Sequence, residues 1–185
     1  MLNRKEFEWR LKKQDLVNWR WENKDVSSIA DKVKIQAAIN YIERELSVKL
    51  PDEYKDFLLL TEDQGIFFED EGNDRFLARY NHKAMVVVMN IFFPAEQVID
   101  YTKQSQESIY DHRTLLTNGF IVIACDYDDN AEAYLIYDVR EESATYQHIF
   151  HWRYYVDNLV VGDGLGFVAR SLKEFLHMPT SEDNL

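Results

Sequence analysis

One cysteine, three prolines and six glycines stand among 185 residues, and each scarcity removes a class of protein. Cys125 has no partner within the chain, so a disulfide-stapled scaffold is excluded and a reducing compartment fits. Proline and glycine form no linker-like cluster, which argues against two separate halves. No internal repeat or low-complexity tract replaces one. The longest apolar run, Ala84 to Pro94 (AMVVVMNIFFP), falls far short of the ~20 residues that cross a bilayer. The opening MLNRKEFEWRLKK has no apolar core of a signal peptide. A protein of the cytoplasm with no transmembrane segment is the expectation. Basic residues are outnumbered, 21 against 33 acidic, for a net charge of -12. That disfavours direct binding to a nucleic-acid backbone, whose affinity comes from Lys and Arg. There is no GxxxxGK[ST] and no GxGxxG following a strand. GDGLG, Gly162 to Gly166, shares only its glycines with a phosphate loop.

What is present is enough for a core: 46% apolar and 14% aromatic residues. The charge is uneven. Residues 1–24 carry +3, leaving -15 for the rest, and they hold Trp9, Trp19 and Trp21. This start reads as an amphipathic extension that docks on the body of the domain or touches a partner or membrane surface. The plan is an N-terminal basic, Trp-rich extension over 1–27, one domain over 28–178 and a tail over 179–185.

Ser28 and Asp31 have capping-box spacing, and Ile35, Ile39, Ile42 and Leu46 then form one stripe of a 3.6-residue period. Pro51 ends that helix and suits the first turn of the next, whose positive end Asp52 and Glu53 favour. Tyr54, Phe57 and Leu58 give the second helix an apolar face, and Gly65 is expected to stop it. Strands are expected over Phe76–Tyr80 and Met85–Ile91, with a helix opened by Pro94 whose Ala95, Val98 and Ile99 point inward. Gly119–Cys125, apolar on both faces, reads as a central strand. Ala133–Val139 returns as its hairpin partner across a polar tip, DYDDN. ATYQHIFHWRYY alternates, with Tyr146, His148, Phe150, Trp152 and Tyr154 on a core side and Gln147, Ile149, His151 and Arg153 outward. Ser171 and Glu174 cap a last short helix, SLKEFL. Helices, then strands joined by short turns, then a helix make an α+β fold with a twisted, mainly antiparallel sheet and flanking helices.

Chemistry is sparse. His148 and His151 are expected on opposite strand faces, which defeats a shared zinc, and no metal ligand set is assigned. Cys125 lacks an adjacent base and reads as structural. Asp126, Asp128, Asn130 and Glu132 imitate the start of a calcium loop. Positions six and twelve of that loop would be Ala131 and Tyr137, not the glycine and glutamate an EF-hand needs. A solvated hairpin tip and weak cation binding both remain. A second acidic stretch, Phe67 to Phe76 (FFEDEGNDRF), carries Glu69, Asp70, Glu71 and Asp74. It is a solvated loop or a negative surface for a basic partner. No motif supports a catalytic residue, and no cofactor is expected.

ELSVKLPDEYKDFLLLTEDQG, Glu45 to Gly65, resembles the signature of the SMI1/KNR4 family, the SUKH superfamily. The matching residues are Glu43, Leu46, Val48, Leu50, Pro51, Tyr54, Phe57 and Leu58. FFPAEQVID, the Gly119–Val139 hairpin and SLKEFL resemble later landmarks, so the likeness spans about Ser28 to Leu176. The family's hairpin tip usually carries glycine, and here Asp128-Asp129-Asn130-Ala131-Glu132 stands instead. The resemblance implies the SUKH-like α+β fold. It also implies a non-enzymatic, immunity-type role: binding a toxin domain, often a nuclease, and covering its basic active site. The alternative it implies is an intracellular regulatory or scaffold module of the cell-wall-control type. Expected partner contacts are Glu69, Asp70 and Asp74 on one loop and Asp126, Asp128, Asp129 and Glu132 on the hairpin. His151 is expected to join them from the outward side of the aromatic strand.

Overall fold

The computed structural model describes residues 32–63, 65–67, 75–107, 116–126, 133–153 and 158–178. The elements in chain order are α1 (Lys32–Leu46), α2 (Asp52–Leu60), β1 (Ile66–Phe67), β2 (Arg75–Arg79) and β3 (Ala84–Phe92). They continue with α3 (Ala95–Gln106), β4 (Phe120–Asp126), β5 (Ala133–Asp138), β6 (Ile149–Arg153), β7 (Leu165–Ala169) and α4 (Leu172–His177). The strands form one sheet in the order β1-β3-β2-β7-β6-β5-β4, every ladder antiparallel. β4 also pairs with β3, so the pairing runs from β3 round to β4 and back again, a sheet curled until its edges meet. The α+β class expected from the sequence is the fold observed.

The signature stretch builds the corner between α1 and α2. Ile35, Ile39, Ile42 and Leu46 are all buried along α1, each contributing roughly 1.5–3 kcal/mol from burial. Past α1, Ser47 turns left-handed (φ 52°), and Glu43 closes the corner. Its Oε1 accepts the Leu50 N–H at 3.0 Å and lies 2.9 Å from Lys55 Nζ of α2. Pro51 is the N-cap of α2 and offers no side-chain acceptor; Asp52 and Glu53 in the first turn complement the exposed N–H groups. The helix ends at Leu60, earlier than Gly65, because Glu62 and Asp63 take positive φ and their N–H groups bond back to Leu59 and Leu58. Asp63 Oδ1 then accepts the Ala95 N–H at 2.7 Å, capping α3 where Pro94 cannot. At α4 the Ser171 side chain accepts the Glu174 N–H at 3.0 Å, as its spacing predicts.

Both faces of the sheet are covered. Tyr134 and Trp152 are cross-strand partners on one face, where Tyr101 of α3 packs on Tyr134 at 5.7 Å. Tyr137 and Ile149 are partners on the other, where Tyr54 of α2 meets Tyr137 at 5.7 Å. From there the aromatic contacts run on through Phe57, Phe92, Phe175 and Phe76, joining α2, β3, α4 and β2.

Two expectations need correction. The alternating stretch is a strand only over Ile149–Arg153; residues 141–147 form turns instead. They are held by Asp138, whose carboxylate takes Arg140, Ser143 and Thr145 as partners. The GDGLG stretch is not one loop, since β7 begins at Leu165. Its glycines answer to packing: a Cβ on Gly166 would sit 2.5 Å from the Tyr80 ring, and Gly162 has φ 85° against Asn81.

Candidate functional site

The acidic segments are rooted side by side. Arg75, where the chain returns from residues 68–74, pairs with Val88 on one edge of β3. Asp126, where it leaves for residues 127–132, pairs with the next residue, Met89, on the other edge. Two strand spacings separate the roots, about 10 Å. The chain re-enters at Ala133, which pairs with Arg153, the last residue of β6. Glu69, Asp70, Asp74, Asp128, Asp129 and Glu132 lie outside the described residues. What the fold fixes is that the stretches bearing them start from one rim, although more than 50 residues separate them in sequence.

Asp126 is described, and it does not stand alone. Its Oδ2 lies 3.1 Å from His151 Nε2, and His151 Nδ1 lies 2.7 Å from the Tyr80 hydroxyl. The Tyr80 hydroxyl also lies 3.3 Å from the His151 carbonyl oxygen. The imidazole is 1% exposed and the Asp126 side chain 9%, and the second carboxylate oxygen, Oδ1, is buried with no hydrogen-bond partner. The outward placement expected for His151 is therefore wrong. Alternation would expose it only on a sheet with one wet face. Here the curl and the Tyr80 ring cover that side, with the ring filling the space that Gly166, the β7 partner of His151, leaves empty.

Burial pushes the Cys125 thiol up to about 11, with Asp126 adding to the shift, so it is protonated and unreactive at neutral pH. His148 packs against Phe150 and Phe167 at the entry to β6, and burial lowers its pKa. No three His, Cys, Asp or Glu side chains are grouped to hold a metal among the described residues. Asp128, Asn130 and Glu132 of the calcium-like stretch lie outside them. No helix among the described residues is long and apolar enough to cross a membrane. Sequence reading missed Tyr80 altogether. Its link to His151 spans 71 positions, and only the glycine at 166, explained by the ring above it, carries any trace of the contact.

A curled antiparallel sheet with α1, α2, α3 and α4 packed on it among the described residues, and two acidic stretches of sequence rooted on either side of β3, define an α+β domain. A family model described as the SMI1 / KNR4 family (SUKH-1) matches residues 36–178, and the chain belongs to that family. Comparison with curated proteins and with solved structures gave no match.

Proposed function

We propose that this protein is an immunity-type binding protein that neutralises a basic toxin domain, of the nuclease kind, by covering its active site. The observation that supports this reading is the common root of the two acidic stretches on either side of β3. Charge gathered there, in a chain of net -12, draws a basic cleft into encounter, and occlusion needs no catalytic residue of its own. The contacts are Glu69, Asp70, Asp74, Asp126, Asp128, Asp129 and Glu132; His151, buried behind Asp126, is not among them. The protein works in the cytoplasm, as a binder and not as an enzyme.

The test is co-expression with the product of the neighbouring gene, co-purification, and rescue of growth. A stable complex with rescue is expected. Charge reversal at Glu69, Asp70, Asp74, Asp128, Asp129 and Glu132 together should then slow association at low salt by tenfold or more, with little change at high salt. A neighbour that is not toxic, or that forms no complex, overturns the reading in favour of a regulatory module with endogenous partners. An unchanged association rate at low salt removes the rim from the mechanism.

A further inference from the structure

We infer that the outward face of α1 is the docking surface for this chain's own N-terminal extension, residues 1–27. Helix α1 is apolar on two sides. Ile35, Ile39, Ile42 and Leu46 turn into the core. Val33, Ala37 and Tyr41 recur every four residues on the side away from it, where Val33 is 82% exposed and Tyr41 42%. A surface helix is ordinarily polar on its outer side, and one that is apolar on both sides is a covered one. The face is also shaped. A groove runs along it, lined by Lys32, Val33, Gln36, Ala37 and Asn40. Gln36 Nε2 donates to Asn40 Oδ1 at 3.0 Å, which ties down the two amides beside it. Ala37 has the smallest side chain there and leaves room above it for a large ring.

The occupant follows from the length of chain outside the described residues and from where it ends. Residues 1–31 lead directly into Lys32, the first residue of the groove. Residues 28–31 span at most about 14 Å, and Val33 to Tyr41 takes up about 12 Å of helix, so the extension starts within reach of the whole face. A tether that short holds it there at an effective concentration on the order of millimolar, which a free partner has to match. Its composition fits the face. Trp9, Trp19 and Trp21 bring large rings that bury apolar area at low entropic cost. Its charge fits too: residues 1–24 carry +3 against -15 for the rest of the chain. Beside α1, α3 exposes Glu96 and Asp100, and Lys103 Nζ of α3 lies 2.7 Å from Glu45 Oε2 of α1. The family model matches only from residue 36, so this contact lies outside what the family describes. It holds whether or not a toxin is bound.

The test is tryptophan fluorescence of the full-length protein with acrylamide as the quencher. Three of the four tryptophans lie in the extension, and the fourth, Trp152, is 0% exposed in the core. In wild type all four are expected to resist quenching. Val33→Glu and Ala37→Glu put a carboxylate into the groove from positions that already face outward, so the domain still folds. In each, the quenchable fraction should rise towards three in four, with Trp152 protected as the sign of an intact core. Val86→Glu, at an exposed position on β3, should leave the fraction as it is in wild type. Extension tryptophans open to acrylamide in wild type overturn the inference. So does protection that survives both groove substitutions, or that Val86→Glu removes equally. Protection lost on dilution, with a fall in sedimenting mass, assigns the face to a second copy and overturns it as well.

Discussion

Replacing Asp138 by Asn tests whether the turns before β6 rest on a charge. The Asp138 side chain is fully buried and accepts five hydrogen bonds. Oδ1 takes the Arg140 backbone N–H at 3.1 Å and its Nε–H at 2.8 Å. Oδ2 takes Arg140 Nη2 at 2.7 Å, Ser143 Oγ at 2.9 Å and Thr145 Oγ1 at 2.7 Å. Asn keeps the shape and the Oδ1 bonds. Its NH2 group then faces the guanidinium donor to donor, while the two hydroxyls turn to accept. One charge-assisted bond is lost, about 1.5–3 kcal/mol, and the two hydroxyl bonds become neutral ones. Breaking a buried pair outright costs roughly 3–5 kcal/mol. The Arg140 side chain is 37% exposed and regains water, so the expected loss is about 3 kcal/mol. For a chain of this size that is a fall in Tm of roughly 6–12 °C.

The sign of the pH effect is fixed by the same contacts. Burial alone would raise the Asp138 pKa, but the Arg140 guanidinium and the Thr145, backbone and Ser143 donors outweigh it and hold it below the usual carboxylate range. Its stabilisation is therefore complete above the unfolded pKa, about 4, and is lost as pH falls through the lower folded value. Urea unfolding of wild type and D138N at constant low salt should show a gap of about 3 kcal/mol at pH 7 that narrows below about pH 4. A gap under ~1 kcal/mol at pH 7, or one indifferent to acid, would refute the argument.

Two further outcomes are expected. Glu43→Ala should cost about 1–2 kcal/mol in the same assay, because it removes the acceptor for Leu50 N–H and the partner of Lys55; Glu43→Gln should restore much of the loss. Asp63 has its pKa raised, by burial first, with the Ala95 N–H offsetting only part. A raised carboxylate favours folding more as pH falls and less as pH rises through its folded value, so Asp63→Asn, which keeps an acceptor for Ala95, should be as stable as wild type or more at pH 7. Its stability profile should also be flatter through the weakly acid range, and a clear loss at pH 7 would show that the carboxylate charge supports the cap.

The helices were legible because each obeys one local rule. The stripe from Ile35 to Leu46, the inward faces of α2 and α3, and the Ser171 cap all follow from spacing within a few residues. The sheet was legible where strands are long and was lost where they are short or glycine-bearing. β1 has two residues, and β7 carries Gly166 near its start. The false extension of β6 has a different cause. The sequence from Ala144 to Gln147 alternates well enough for a strand, but Asp138 binds its residues into turns, and Gln147 takes φ 66° while its N–H bonds to the Asp138 carbonyl. His151 was misplaced because sheet closure is a property of non-local pairing, between β3 and β4, that no period reveals. The two acidic stretches were visible in the sequence; that they are rooted on opposite edges of one stretch of β3 was not.

The Glu53 carboxylate, on the second residue of α2, accepts the backbone N–H of Lys173 in α4, 120 positions later. Burial raises its pKa, as befits a group enclosed by the far end of the chain. Phe175, two residues on, packs against both Phe76 and Phe92. The signature corner is thus completed by α4. On a ribosome, the core can close only after α4 has left the exit tunnel, so a chain truncated ahead of Leu172 should remain an open clasp. The same geometry makes that six-residue helix a natural place to divide the molecule in two and ask whether the missing piece, supplied separately, shuts it.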